Sequence, residues 1–240
     1  MCGVVYFFLQ KPHYIVYNTI VIYNILGLLE RMFYMTDIPK VGFLCAGKNP
    51  LSLSVSVHCT HKLTELFREN GFYSGGYYTV LTEPCTSLVT KRTTEKLLHL
   101  CNSCELVITV GCEGFGASDI IPDITEGICS KKTEYFTGIL CGAKSFLSAS
   151  CVDTEASLNT PDSPLPSRAF SGIREACMII NLSNDLYSAT AIAASLMPAI
   201  SFAVYNLSGK SASYTVMYER NLKSSPKIQE VLTKSVIVNN

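Results

Sequence analysis

The sequence predicts an α/β domain: a mostly parallel sheet with helices on both faces. Two observations carry this. Short apolar runs alternate with amphipathic, helix-length segments from residue 40 to residue 207. One of the runs, in EACMIINL at 175–182, is continuously apolar, as in a strand covered on both faces. In such sheets ligands bind beyond the carboxyl ends of the strands. Two turns qualify here, at 111–116 and at 183–185.

The elements follow in order. KVGFLCAG (40–47) is a short apolar run ending in glycine, a buried strand. Residues 57–69 put Leu63, Leu66 and Phe67 on one helical stripe, and Asn70-Gly71 stops that helix. YYTVL (77–81) is rich in aromatic and β-branched residues and reads as a second strand. Residues 88–101 make a second helix, and ELVITV (105–110) the third strand. Pro122 suits a first helical turn, so 122–130 is a helix. Residues 150–168 carry three prolines and little apolar content, an exposed loop. RAFSGI and EACMIINL are strands, 185–197 is an Ala- and Leu-rich helix, and 198–207 a further one. Residues 210–240 form a polar tail.

Residues 1–38 differ from the rest, being apolar and nearly uncharged. The run at 14–29 is interrupted by Asn18 and Asn24 and is short for a spanning helix, which needs about 20 residues, so no stable membrane insertion is expected. It lacks the basic start and small-residue cleavage site of a signal peptide. It reads either as a weak anchor or as preceding a true start at Met35. The second is preferred, because the ordered pattern begins only at Lys40.

Bulk composition narrows the functional classes. The chain has 240 residues, 48% hydrophobic and 16% charged, with 19 basic and 19 acidic side chains. Nothing basic points to nucleic acid. The 11 cysteines sit mostly in apolar runs, where free thiols behave as small hydrophobes, so the expected compartment is reducing and cytoplasmic.

Three stretches resemble the MoaB/Mog family of molybdenum cofactor biosynthesis. LVITVGCEGFGASDIIPDIT (106–125) is similar to the family's strand, Gly-Gly-Thr-Gly turn and following acidic segment. SRAFSGIREACMIINLSNDL (167–186) resembles its Ser-Arg, Gly-Ile-Arg-Gly and apolar strand leading into Pro-Gly-Ser-Pro. KVGFLCAG, with a helix ending in ENGF, resembles its first strand and helix. Three motifs in order, on strand–turn–helix joints, are more specific than any one. The resemblance implies a MoaB/Mog-like three-layer α/β/α sandwich over residues 39–209, often trimeric, hence a homotrimer. Active members bind molybdopterin, a phosphorylated pterin, and adenylylate it with Mg-ATP. The resemblance assigns Asp119 as catalytic and magnesium-binding, with Glu83 as a second acid. It assigns ligand binding to Gly111, Cys112, Glu113, Gly114, Ser167, Arg168, Gly172, Ser183, Asn184 and Asp185.

Physical chemistry agrees with such a site. A helix N-terminus offers N–H groups and partial positive charge to an anion, and glycine lets the backbone approach. A carboxylate can hold Mg²⁺, which keeps most of its waters and bridges phosphates.

The departures mostly oppose phosphate binding. The turn's second glycine and threonine become Cys112 and Glu113, and the arginine before the acid becomes Ser118. Ile121 replaces a capping threonine, at a cost of roughly 1 kcal/mol. Glu175 ends the Gly-Ile-Arg motif, and Ser183-Asn184-Asp185-Leu186 replaces Pro-Gly-Ser-Pro. A charge about 5 Å from a phosphate costs roughly 3 kcal/mol at an effective dielectric of 20. Asp185 could instead cap its own helix, and a Glu113–Asp119 pair could hold a metal. The leading reading is a divergent molybdopterin-binding protein of molybdenum cofactor biosynthesis, with adenylyl transfer lost or the pocket retuned to another ligand; the alternative is a non-catalytic binding or assembly protein that keeps the fold and oligomer.

Other candidates have simpler readings. Cys101-x-x-Cys104 is a redox pair or two half-buried thiols, the latter preferred. His58 and His61, one turn apart without a third ligand, read as a surface pair. Cys112 lacks a histidine to make it a nucleophile. Arg168 and Arg174 bind anions or form structural ion pairs.

Overall fold

A computed structural model describes residues 38–141 and 168–210. Strands β1 (Lys40–Gly47), β2 (Tyr73–Leu81), β3 (Leu106–Val110), β4 (Lys131–Lys132), β5 (Ser171–Arg174) and β6 (Cys177–Leu182) form one sheet in the order β2-β1-β3-β6-β5-β4. β1 pairs parallel with β2 and β3, and β3 with β6. β5 is antiparallel to both β6 and β4. The helices are α1 (Pro50–Glu69), α2 (Ser87–Ser103), α3 (Ile121–Ile128), α4 (described over residues 134–141) and α5 (Leu186–Leu207).

Period-two alternation splits the core between the two faces of the sheet. Phe43, Ile108 and Ile180 pack with Leu63 and Phe67 of α1 and with Ile192 and Val204 of α5. Leu44, Val107 and Ile179 face the other way, onto Leu97 and Leu100 of α2 and Ile121 and Ile124 of α3. This is the three-layer arrangement, and the sheet is mostly parallel. From β1 the chain builds outward to β2 on one side and to β3 and β6 on the other. Strand order reverses there, which opens a crevice at the carboxyl ends.

Several elements depart from the sequence reading. α1 begins seven residues early. Ser52 N–H donates to Asn49 Oδ1 at 2.9 Å and Asn49 N–H to Ser52 Oγ at 3.1 Å, a capping box with Pro50 in the first turn. That signal was present in the sequence, but the apolar stripe begins further on. α5 runs without a break through Pro198. An interior proline costs about 3 kcal/mol. Here Leu196 and Met197 before it and Ile200 and Val204 after it are all buried, so packing carries the helix across. α5 is also long and apolar enough to cross a membrane, yet these residues sit in the core of the sheet sandwich.

β6 starts at Cys177 because Glu175 and Ala176 form a hairpin turn between Arg174 and Cys177. Glu175 sits there at φ 53. β4 and α4 had no counterpart in the sequence reading. The 1–37 extension, residues 142–167 of the region holding the predicted loop, and the tail from 211 lie outside the described residues.

Candidate functional site

The four parallel strands bring their carboxyl ends to one edge of the sheet. Lys48 follows β1, Thr82 and Glu83 follow β2, residues 111–119 follow β3, and 183–185 follow β6.

The turn after β3 begins at Gly111, whose φ is 90. Its N–H donates to Leu182 O at 2.9 Å, and a Cβ there would lie 2.5 Å from Ala46 O and 2.7 Å from Ser56 Oγ. Only glycine fits this junction of β1, β6 and α1. Cys112 is left-handed as well, at φ 56, and turns its thiol toward Thr82 Oγ1 at 3.4 Å. Burial pushes that thiol above its ordinary value. Glu113 is buried, and its carbonyl accepts from Arg168 N–H at 3.0 Å.

Asp119 forms the centre of the site. It is 4% exposed, and its Oδ2 accepts from Lys48 Nζ at 2.9 Å and from Gly116 N–H at 2.8 Å. The partnership with Asp119 raises the Lys48 pKa above its ordinary value. Ser118, which replaces the family's arginine, donates from Oγ to Glu83 Oε1 at 2.8 Å. Thus the two acids expected to act together are each engaged by a residue of this chain.

Arg168 straps the turn from outside. Its Nε donates to Gly114 O at 2.8 Å and Nη2 to Asp119 O at 2.7 Å. Nη1 and Nη2 grip the Asp123 carboxylate at 2.9 and 3.0 Å, and the guanidinium lies over Phe115 at 5.9 Å. Asp123, in the first turn of α3, thereby takes the charge a ligand would otherwise meet.

The two helix N-termini differ. α3 starts at Ile120, in αR conformation and without a side-chain cap; the uncapped position is therefore Ile120 and not Ile121, which is already inside the helix. α5 is closed by Asp185, which accepts from Ser188 N–H at 2.8 Å and donates its own N–H to Ser183 Oγ at 3.1 Å. Asn184 lies against Gly111. Burial, with smaller contributions from the Asp185, Cys45 and Glu113 charges, pushes the Cys59 thiol up to about 11. Glu113 is 8% exposed, and Asp185 is exposed on its helix cap.

Other predicted residues lie elsewhere. Gly172 is in mid-strand, paired with Ile179, and packs on Cys129 and Phe170. Ser167 is outside the described residues. Arg174 is at the opposite end of β5 from Arg168 and donates to Ile128 O at 3.2 Å. His58 and His61 are exposed, and His61 stacks edge-on with Tyr77 at 6.4 Å. Lys48 and Asp123 were missed by the sequence reading. Lys48 sits directly after a parallel strand, a position where any basic residue is a candidate ligand group.

Asp119 Oδ2 and Glu83 Oε1 already accept from Lys48, Gly116 and Ser118, and no group of three or more metal-ligating side chains occurs among the described residues.

Fold and site together define an α/β domain of the MoaB/Mog-like fold, with its ligand-type turns at the strand ends. No family model matches the chain, and no curated protein matches its sequence. Solved structures do. A molybdopterin biosynthesis protein from Mycobacterium abscessus is 18% identical, with TM-score 0.53, over 73% of this chain and 98% of its own. The molybdopterin biosynthesis Mog protein from Mycobacterium ulcerans is 16% identical, with TM-score 0.55, over 71% and 97%. The molybdopterin biosynthesis enzyme MoaB from Thermus thermophilus is 19% identical, with TM-score 0.50, over 72% and 98%. At these identities the likeness is one of fold.

Proposed function

We propose that this chain is a molybdopterin-binding protein of molybdenum cofactor biosynthesis that has lost efficient adenylyl transfer. The observation carrying this reading is the ion pair of Lys48 with the buried Asp119. A carboxylate whose charge a lysine already matches has less to offer Mg²⁺ and nucleotide phosphates. Here that charge is neutralised from within at 2.9 Å. Arg168 is spent on Asp123, and Asp185 occupies the N–H groups of its own helix. The same Lys48, 41% exposed at its side chain, offers a cation to a ligand phosphate at the mouth, beside the uncapped α3 terminus. Recognition therefore runs through Lys48 and the turn N–H groups, with Asp119 as the positioning residue that holds Lys48.

Titrating purified protein with molybdopterin and with Mg-ATP, while following pyrophosphate release, tests this. Molybdopterin binding without pyrophosphate release is the expected result. No binding of molybdopterin overturns the proposal, and release at rates typical of an enzyme overturns the loss of activity. A homotrimer in a reducing, cytoplasmic compartment belongs to the same proposal, and light scattering of the purified protein checks the trimer.

A further inference from the structure

The turn after β3 carries one large apolar side chain into solvent. Gly111, Cys112 and Glu113 are buried, whereas Phe115 is 66% exposed. A ring left in water forgoes the free energy it would gain in a core. A single exposed phenylalanine is ordinary on a protein surface. Two features set this one apart.

The first is its bracing. The Arg168 guanidinium lies over the Phe115 ring, 5.9 Å from its centroid. The guanidinium is itself fixed by hydrogen bonds to Gly114 O, to Asp119 O and to both Asp123 carboxylate oxygens. With its charge met by Asp123 and most of its donors occupied, Arg168 has little to give an anion, and it holds the ring instead.

The second is its position. At Gly116, the next residue, a Cβ would lie 3.4 Å from Lys48 Nζ and 3.0 Å from Asp119 Oδ2. Gly116 N–H donates to Asp119 Oδ2, the same oxygen that accepts from Lys48. One bare stretch of backbone therefore separates an exposed aromatic ring from a partly exposed ammonium group. A ligand that uses both carries an anionic group and a flat apolar surface close together.

We propose that Phe115 is a specificity-determining residue of this site. Its ring stacks on the flat heterocycle of a ligand whose phosphate meets Lys48, so the site selects phosphate esters of planar heteroaromatic compounds over phosphate alone. The inference rests on the reading of Lys48 as phosphate partner, and molybdopterin, a phosphorylated pterin, falls within the class. Ring stacking adds to the gain from area burial and tolerates many heterocycles, because each has a π-face. Bracing by Arg168 leaves the ring little freedom to lose on binding, which favours the bound state.

Calorimetric titration of the full chain tests this in wild type, Phe115→Leu and Phe115→Trp. The probes are molybdopterin, inorganic phosphate, AMP, and the same sugar phosphate lacking the adenine. Leucine keeps an apolar side chain and removes the stacking face, and tryptophan restores one. Phe115 is at the surface, so neither change disturbs a packed core. Phe115→Leu should weaken molybdopterin binding about tenfold, the order of one lost stack, and leave phosphate binding within about twofold. Phe115→Trp should recover the affinity. An equal loss for molybdopterin and phosphate, or no loss for either, overturns the proposal. If wild type binds no molybdopterin, the proposed function falls and the other two probes decide the role of Phe115. A preference for AMP over the sugar phosphate that disappears in Phe115→Leu supports it, and equal binding of the two, or none of either, overturns it.

Discussion

The turn after β3 and the turn after β6 face the same crevice and meet it in opposite ways. The first, at 111–116, is strained and strapped from outside. Gly111 and Cys112 are both left-handed, Glu113 is inside, and Lys48 and Arg168 reach in from other elements. The second, at 183–185, is satisfied locally: Ser183, Asp185 and Ser188 complete it within six residues. A locally satisfied helix start has little left for a ligand. A turn assembled from four strand ends depends on tertiary contacts and keeps polar groups that a ligand can use. On the proposed function, the difference favours the first turn for ligand recognition and makes the second a wall of the crevice.

Four changes would break or sharpen that contrast. Gly111→Ala has the largest expected effect, about 3 kcal/mol of stability, because both the left-handed φ and the contact with Ala46 O forbid a Cβ. Urea unfolding measures it, and a loss below about 1 kcal/mol would mean that the turn is not strained.

Lys48→Met comes next. It leaves Asp119 buried with only Gly116 N–H, but Lys48 is partly exposed and screened, so the expected cost is roughly 1–2 kcal/mol. The sign with pH follows from the raised Lys48 pKa. The pair's contribution is fully present below the ordinary lysine value of 10.5 and is lost as pH rises through the higher folded value. The gap between wild type and variant should therefore hold steady from about pH 7 to 9 and close in strong alkali. A gap that widens with pH contradicts the assignment.

Glu113→Thr combined with Asp185→Ser should tighten molybdopterin binding about tenfold, which is ~1.4 kcal/mol, less than the full repulsion of one nearby charge. Calorimetry reads it. Weaker binding would make these acids specificity groups and would end the idea of a blocked site. Asp185→Ala alone is the smallest change, costing about 1 kcal/mol through the lost cap and leaving the first turn untouched. A large effect of Asp185→Ala on ligand affinity would show that the second turn binds after all.

Much of the fold was legible in the chain because it rests on local or periodic signals. EACMIINL announced a strand covered on both faces, and Asn70-Gly71 marked a helix end that the structure has at Glu69. The misreadings share a cause. Pro198 reads as a break in any local view, and only the burial of Leu196 and Ile200 on either side of it overrules that. The antiparallel turn at Glu175 and Ala176 has no glycine to announce it. At the site, the glycines and Asp119 were visible as a motif. Lys48 and Asp123 were not, because nothing in the spacing of 48 and 119, or of 123 and 168, says that they touch.

The sequence by itself determined the alternation of strands and helices, the apolar runs that become a two-faced sheet, the glycine at 111 and the acid at 119. Those follow from backbone sterics and side-chain period, which act over a few residues. The tertiary structure alone decided which charge each acid meets. Lys48 neutralises Asp119, Ser118 occupies Glu83, and Arg168 closes on Asp123. Coulombic and hydrogen-bond energies depend on distance in space, and only the folding of four strand ends to one edge brings these partners within 3 Å of one another.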